Sequence, residues 1–357
     1  MFKLSVIVPC YNAEQYIIQC LDSLVNQTIG IYNMQIILIN DASTDGTLSI
    51  LEKYRDMYKD NILLINQAIN QGQAIGRNIG IDSATGEYIA FLDADDWLEL
   101  DAYEKLLDVA HKFDVDLVQM NYVQHMEGDN PLFSRYSQEA GLYDMTDPEK
   151  KIAFFSKHQL LPIWTGIYKS TIFDNQKIRF ANFRKYEDNF FGGIVKFSIG
   201  SYYFLNEYLH NYRIIDNSNS HNRNDAEHLV RLEIELEKLK FFSENNMHEK
   251  YYNLIRNDFL TGFYCNTIHI IFTRFDYVPL EQIRSMQSIV RQFFPDYMQY
   301  YYESGFMFNM ILTVPFDFPI EIWEELKNDY LSSILDGDKE KIISWGKNLR
   351  YSLEKGN

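Results

Sequence analysis

The chain is poor in positive charge. Its 357 residues carry 33 Lys and Arg against 50 Asp and Glu, a formal net charge of −17. Nucleic acid and anionic lipid need a basic surface to bind unaided, so this balance argues against nucleic-acid partners. It also obliges any anionic substrate to find a local Arg, Lys or metal. Cysteine is scarce: Cys10, Cys20 and Cys265 are scattered, which fits reduced thiols in a cytosol and not a disulfide framework. Long apolar runs are missing too. Residues 4–8 are too short for a secretory signal and meet a proline, and residues 259–273 fall short of the ~20 apolar residues a spanning helix needs. The expectation is a cytoplasmic protein without a transmembrane segment, able to associate peripherally with the inner face of the membrane. No G-x-G-x-x-G follows the first strand and no G-x-x-x-x-G-K-[ST] occurs, which weighs against a dinucleotide enzyme and a P-loop NTPase. No repeat of fixed period is evident.

What is present is an ordinary globular composition, 46% hydrophobic and 23% charged, in a chain long enough for two or three domains. Residues 4–8, 35–40 and 62–65 read as strands, the first stopped by Pro9. Each precedes helical periodicity. Asn12-Ala-Glu-Gln15 resembles a capping box before Ile17, Leu21 and Leu24; Ser43-Thr-Asp-Gly46 is turn and cap chemistry before Leu48, Leu51 and Tyr54; Gln71-Gly72 opens a helix to about Ala84. Alternating strand and helix predict a mostly parallel α/β sheet, in which ligands bind beyond the C-terminal strand ends. A helix over 101–113 and a strand near 117–122 follow. Residues 125–150 read as a loop with little regular structure, and residues 152–223 as mixed and aromatic. From Glu227 the pattern is helical, through Leu229, Leu232, Leu236 and Leu239, then over 249–272, 280–294 and 319–335. The expected division is 1–224, with halves 1–125 and 126–224, and a helical region 225–357.

The densest chemistry lies at Gly86-Glu-Tyr-Ile-Ala-Phe-Leu-Asp93-Ala94-Asp95-Asp96-Trp97, where an apolar strand ends in three carboxylates within four residues. One of Asp93 and Asp95 can reach a ribose or a bridging water while the other holds a hard cation such as Mn²⁺ or Mg²⁺; an acidic turn is the plain alternative. The loop after strand one, with Pro9, Tyr11 and Asn12, can offer backbone groups to a nucleotide with Tyr11 near its ring, and Asp41 can accept from the N–H edge of a uracil. In Asn70-Gln-Gly72-Gln-Ala-Ile-Gly76-Arg77-Asn-Ile-Gly80 a single Arg stands among small residues. Arg77 can fork onto a base carbonyl or a phosphate, or pair with one of the aspartates in close helix–sheet packing.

Val6-Ile-Val-Pro-Cys-Tyr-Asn12, Asn40-Asp-Ala-Ser-Thr-Asp-Gly46, Asn70-Gln-Gly-x-x-x-x-Arg77-Asn-x-Gly80 and Phe91-Leu-Asp-Ala-Asp-Asp-Trp97 occur in one order over roughly residues 1–125. Together they resemble the family 2 glycosyltransferases of GT-A fold. The resemblance implies a nucleotide-sugar site on Pro9, Tyr11, Asn12, Asp41, Asn70, Arg77, Asp93, Ala94 and Asp95, with Asp41 and Arg77 at the base, Asp93 at ribose or pyrophosphate, and Asp95 on Mn²⁺ or Mg²⁺. It continues into the acidic pair Glu187-Asp188, where it implies Asp188 as general base and Glu187 orienting it or binding the acceptor; a helix N-terminus favoured by its dipole is the alternative. Leu161-Pro-Ile-Trp164 resembles the acceptor-side segment, with Trp164 either covering a sugar face or in the core. His221 can complete the metal shell while Arg213 or Arg223 meets the pyrophosphate; the other histidines show no ligand spacing.

The expected function is metal-dependent, inverting transfer of a hexosyl or N-acetylhexosaminyl group from a UDP-sugar to a hydroxyl of a glycan, glycopolymer or glycoprotein. The C-terminal helices would position the acceptor or build a homo-oligomer. A catalytically inactive sugar-nucleotide-binding or scaffold subunit is the alternative, and a nucleotidyltransferase lacks the Gly-rich basic loop it needs after strand one.

Overall fold

Two apolar segments, buried along their whole length, form the centre of the first unit: β1 (Leu4–Cys10) and β2 (Met34–Asn40). A strand covered on both faces has no polar side to show, which is why Val6, Ile7 and Val8 run without alternation. The structure is a computed structural model and describes residues 2–126, 128–136, 138–175, 178–183, 186–215, 229–297 and 321–335. It divides into two compact units, Met1–Asn222 and Arg223–Asn357.

In the first unit, α1 (Ile17–Val25) lies between β1 and β2. Then come α2 (Thr47–Met57), β3 (Ile62–Asn66), α3 (Gln73–Ser83) and β4 (Tyr88–Phe91). The four strands pair in parallel, in the order β3-β2-β1-β4. Pro9 does not stop β1, which runs one residue further. Leu92 N–H donates to the Ile7 carbonyl, so Pro9, two residues on, faces the same side after β4 has ended. Its missing N–H therefore costs no ladder bond. α3 approaches β1 closely: a Cβ built on Gly80 would fall 2.3 Å from Ile7 Cγ2.

The rest of the unit comprises β5 (Trp97–Leu98), α4 (Ala102–Phe113), β6 (Leu117–Met126), β7 (Leu132–Phe133), β8 (Gly141–Asp144), α5 (Pro148–Phe155), β9 (Gly166–Lys169), α6 (Thr171–Asn175), α7 (Glu187–Ser198) and β10 (Ser201–Ile214). β9 enters antiparallel between β4 and β6, and β10 runs parallel to β6 with β5 antiparallel on its far side. The sheet is thus parallel in the first half and mixed in the second. Residues 125–150 are more regular than their polarity suggested, with β7 on β6 and β8 on β10. Their exposed Leu132, Phe133 and Leu142 gave no burial signal to read.

The second unit is helical among the described residues: Val230–Glu244, Tyr252–Phe259, a wider π-turn over Leu260–Cys265, Asn266–Arg274, Leu280–Phe293 and Glu321–Leu335. Buried Arg256 donates to Asp296 at 2.6 Å within it. No helix among the described residues is long and apolar enough to cross a membrane. Cys10, Cys20 and Cys265 are buried and form no disulfide.

Candidate active site

The C-terminal ends of β1, β2 and β4 bring three segments of sequence to one edge. The loop after β1 is zipped to the loop after β2. Asn12 Oδ1 accepts from Thr44 N–H at 2.8 Å, Asn12 N–H donates to Ser43 Oγ at 3.1 Å, and the Glu14 carboxylate accepts from Gly46 N–H at 2.8 Å. The expected capping box at residues 12–15 is therefore not formed; α1 begins at Ile17 with no side-chain cap, because Asn12 and Glu14 hold the neighbouring loop instead. Asn12 and Ala42 both take positive φ, 49° and 57°, on either side of this junction. Tyr11 is 51% exposed at the rim, and Pro9 is buried beneath it.

Asp41 follows β2 and is buried. Its carboxylate accepts from the backbone N–H groups of Gln71 and Gly72, each at 2.8 Å, and from Gln67 Nε2 at 3.2 Å. Asp41 thereby ties down the entry to α3, where Gly72 takes φ 90° and Asn70 lies exposed with its amide 3.4 Å from the Asp41 carbonyl oxygen.

Arg77, one turn into α3, is 2% exposed. Its Nη1 donates to Glu187 Oε1 at 2.7 Å and its Nη2 to Asp93 Oδ1 at 2.8 Å, with Gln73 Oε1 at 3.1 Å. Phe180 lies across the guanidinium at 5.4 Å. Burial alone would lower the Arg77 pKa; Asp93 and Glu187 more than offset it, so the cation stands above its ordinary value. Glu187 is pushed up by its burial, against the pull of Arg77. Of the two readings of Arg77, the one realised is the ion pair with an aspartate, and the second partner comes from 110 residues downstream.

Asp188 is exposed in the first turn of α7, which Tyr186 enters at φ 62°. Its Oδ1 accepts from Asn189 N–H at 2.9 Å.

Asp95 sits half-buried in the turn after β4, beside buried Ala94. Desolvation first, then Asp96 and Asp93, push its carboxyl up to about 7. The turn is held from β10. Arg213 Nε donates to the Asp95 carbonyl at 3.0 Å, Arg213 N–H to Asp96 Oδ1 at 2.8 Å, and Arg213 Nη2 to Gln19 Oε1 at 2.6 Å. The guanidinium lies over Trp97 and Tyr16. Arg213 is thus a brace for the aspartate turn. Asp96 and His210 form a fully buried pair at 3.0 Å; burial pushes His210 down to about 3, so the imidazole is neutral, and pushes Asp96 up. Sequence reasoning missed His210, since no spacing marks a partner 114 residues from Asp96.

Trp164 is half-buried. It stacks on Tyr212 at 5.1 Å and 5°, and lies 4.3 Å from the His210 ring and 4.8 Å from Tyr122. It joins an aromatic face beside the aspartate turn and is not enclosed in the core. His221 and Arg223 lie outside the described residues. Among the described residues no three His, Cys, Asp or Glu side chains are grouped to hold a metal. Asp95 nonetheless suits a hard cation completed by ligand oxygens and water: among the described residues no other side chain donates to its carboxylate, and the surrounding negative charge that raises its pKa is what a bound cation would relieve.

The model of glycosyl transferase family 2 matches residues 5–178. The chain is 30% identical over 222 residues to the glycosyltransferase GlyA of Streptococcus pneumoniae serotype 4, covering 59% of this chain and 30% of GlyA. It is 30% identical over 249 residues to the uncharacterized glycosyltransferase YibD of Escherichia coli K12, covering 66% and 71%. The crystal structure of Staphylococcus aureus TarS 1-349 in complex with UDP-GlcNAc superposes with a TM-score of 0.64 at 19% identity, over 100% of this chain and 93% of that one. The chain spans less than two thirds of GlyA, the first of these relatives. The four motifs at the edge of the parallel strands, the GT-A-type mixed sheet that carries them and the extent of the likeness to YibD together place the chain in glycosyl transferase family 2.

Proposed function

We propose that this glycosyltransferase moves a sugar from a UDP-sugar to a hydroxyl of a glycan, glycopolymer or glycoprotein, with inversion at the anomeric carbon. One observation carries the reading: the ion-pair chain Asp93–Arg77–Glu187 runs from just after β4 to the start of α7, so a single guanidinium joins donor-side Asp93 to the neighbour of Asp188. The UDP-GlcNAc held in the TarS complex supports a UDP-sugar donor of the N-acetylhexosaminyl or hexosyl class. Residues 1–224 act as the transferase domain, and residues 225–357 position the acceptor or join copies of the chain.

The loops of Asn12 and Asp41 receive the nucleotide, with Tyr11 at its ring. Arg77 acts by fixing Asp93 toward the ribose or pyrophosphate, since both its terminal nitrogens are engaged by side-chain acceptors. Asp95 would hold Mn²⁺ or Mg²⁺, with His221 as a further ligand, and such an ion supplies positive charge to the departing diphosphate. The acceptor oxygen attacks the anomeric carbon as Asp188 takes its proton; the bond to the UDP oxygen breaks on the opposite face. Asp188 is exposed and thus accessible to an acceptor, while Glu187, held by Arg77, fixes the first turn of α7.

The decisive variant is Asp188→Asn. A general base contributes ~10²–10⁴ in rate, so transfer should fall by about that range while UDP-sugar binding, read by calorimetry, stays near wild type. Asn still accepts from Asn189 N–H, so a mere helix-end role would leave turnover unchanged and refute the assignment. No transfer or UDP binding by the wild type would instead favour a scaffold subunit.

A further inference from the structure

Beside the site, β6 and the β7 hairpin form an open cleft of about 600 Å³, lined by Tyr122, Gln124, Leu132, Phe133, Arg135 and Tyr136. We propose that this cleft is an acceptor subsite for the unit next to the one being glycosylated, and that Arg135 reads an anionic group, phosphate or carboxylate, on that unit. The proposal rests on the glycosyl-transfer reading above and extends it to the acceptor's chemistry.

The cleft is linked to the site through packed side chains. Tyr122 forms its floor and also meets Trp164 edge-on at 4.8 Å, Trp164 covers His210, and His210 pairs with Asp96 in the aspartate turn. The hairpin is firmly attached. Tyr122 N–H donates to Ser134 Oγ at 3.0 Å, Ser134 N–H returns to the Tyr122 carbonyl at 3.0 Å, and Tyr208 Oη donates to the Ser134 carbonyl at 3.0 Å. Phe133 packs edge-on against Tyr208 yet remains 58% exposed, as does Leu132. Exposed rings beside an amide are suited to the C–H faces and hydroxyls of a sugar or polyol.

Charge then narrows the ligand. In a chain of net charge −17 several basic groups of this unit are paired with carboxylates, as Lys105, Lys150, Lys169 and Arg179 are. Arg135 is exposed on the cleft wall with no carboxylate paired to it among the described residues. A planar fork of donors left open at such a place matches a phosphate or carboxylate oxygen pair.

The test uses the full-length chain with UDP and Mn²⁺ present. Calorimetry would compare a neutral oligosaccharide, a uronate-bearing oligosaccharide and a ribitol-phosphate oligomer of similar length. At least one anionic probe should bind about tenfold tighter than the neutral one, and Arg135→Gln should remove that difference while leaving UDP affinity unchanged. Tyr136→Ala should weaken all probes alike. Which anionic probe leads separates phosphate from carboxylate. Equal affinity for neutral and anionic probes, an unchanged preference in Arg135→Gln, or no binding of any probe while UDP binds normally would each overturn the subsite. Loss of UDP binding in the wild type would fault the donor reading instead.

Discussion

At the scale of single residues, the site is governed by where charge is buried. Arg77 neutralises two carboxylates that folding removes from water, and breaking a buried pair by deleting one partner costs about 3–5 kcal/mol. Arg77→Met should therefore lower the stability of the first unit by about that amount in urea denaturation. Adding Glu187→Gln should recover part of the loss, because one fewer anion is left unpaired. Full stability of the single variant would show that the triad is not the tie it resembles. Asp95 offers a second measurement. Its pKa of about 7 is raised by burial and by Asp96 and Asp93, and a cation binds only the ionised form. Below pH 7 a proton must leave before the ion can bind, so the Mn²⁺-dependent gain in UDP affinity should fall about tenfold per pH unit; above pH 7 it should be flat. Asp95→Asn should abolish both the gain and its slope. A gain that is independent of pH between 5 and 7 would remove Asp95 from the metal.

At the scale of elements, the parallel half was legible because β1, β2 and β4 are buried on both faces and its helices carry an apolar stripe. Helix α3 shows the limit. Its Gly76 and Gly80 were read as room for close approach, but what approaches, Ile39 and Pro9 at one and Ile7 at the other, is known only from the fold. In an exposed helix Gly80→Ala would stabilise by up to about 1 kcal/mol. Here the added methyl meets Ile7 at 2.3 Å, and overpacking of this kind costs about 1–3 kcal/mol, so the variant should unfold at lower urea. Combining it with Ile7→Ala should cost less than the sum of the two. Strict additivity would deny the contact. The second half of the sheet was harder to read. β7 and β8 are short and expose their apolar residues, so 125–150 looked like loop, and the capping box at 12–15 was a local pattern overruled by bonds to residues 43–46.

At the scale of the whole molecule, net charge and scattered thiols narrow the partners without choosing among them. The carboxylates of the site come from segments whose local chemistry is explicit. An apolar run that ends in Asp-Ala-Asp places acids at a strand end, and an acidic pair before Phe190 and Phe191 places them at a helix start, whatever the rest of the chain does. The α/β architecture and the positions of Asp41, Asp93, Asp95, Glu187 and Asp188 at element ends were therefore determined by the sequence itself, through periodicity and turn chemistry acting over ten or so residues. The sequence did not determine the partners: Arg77 with Glu187, Asp96 with His210, Arg213 with the Asp95 turn, and Tyr122 with Trp164. These pairs lie between 42 and 118 residues apart. Only the insertion of β9 between β4 and β6, and the return of β10 alongside β6, closes those distances, because such pairing depends on which edges and faces meet and not on any property of the residues taken alone.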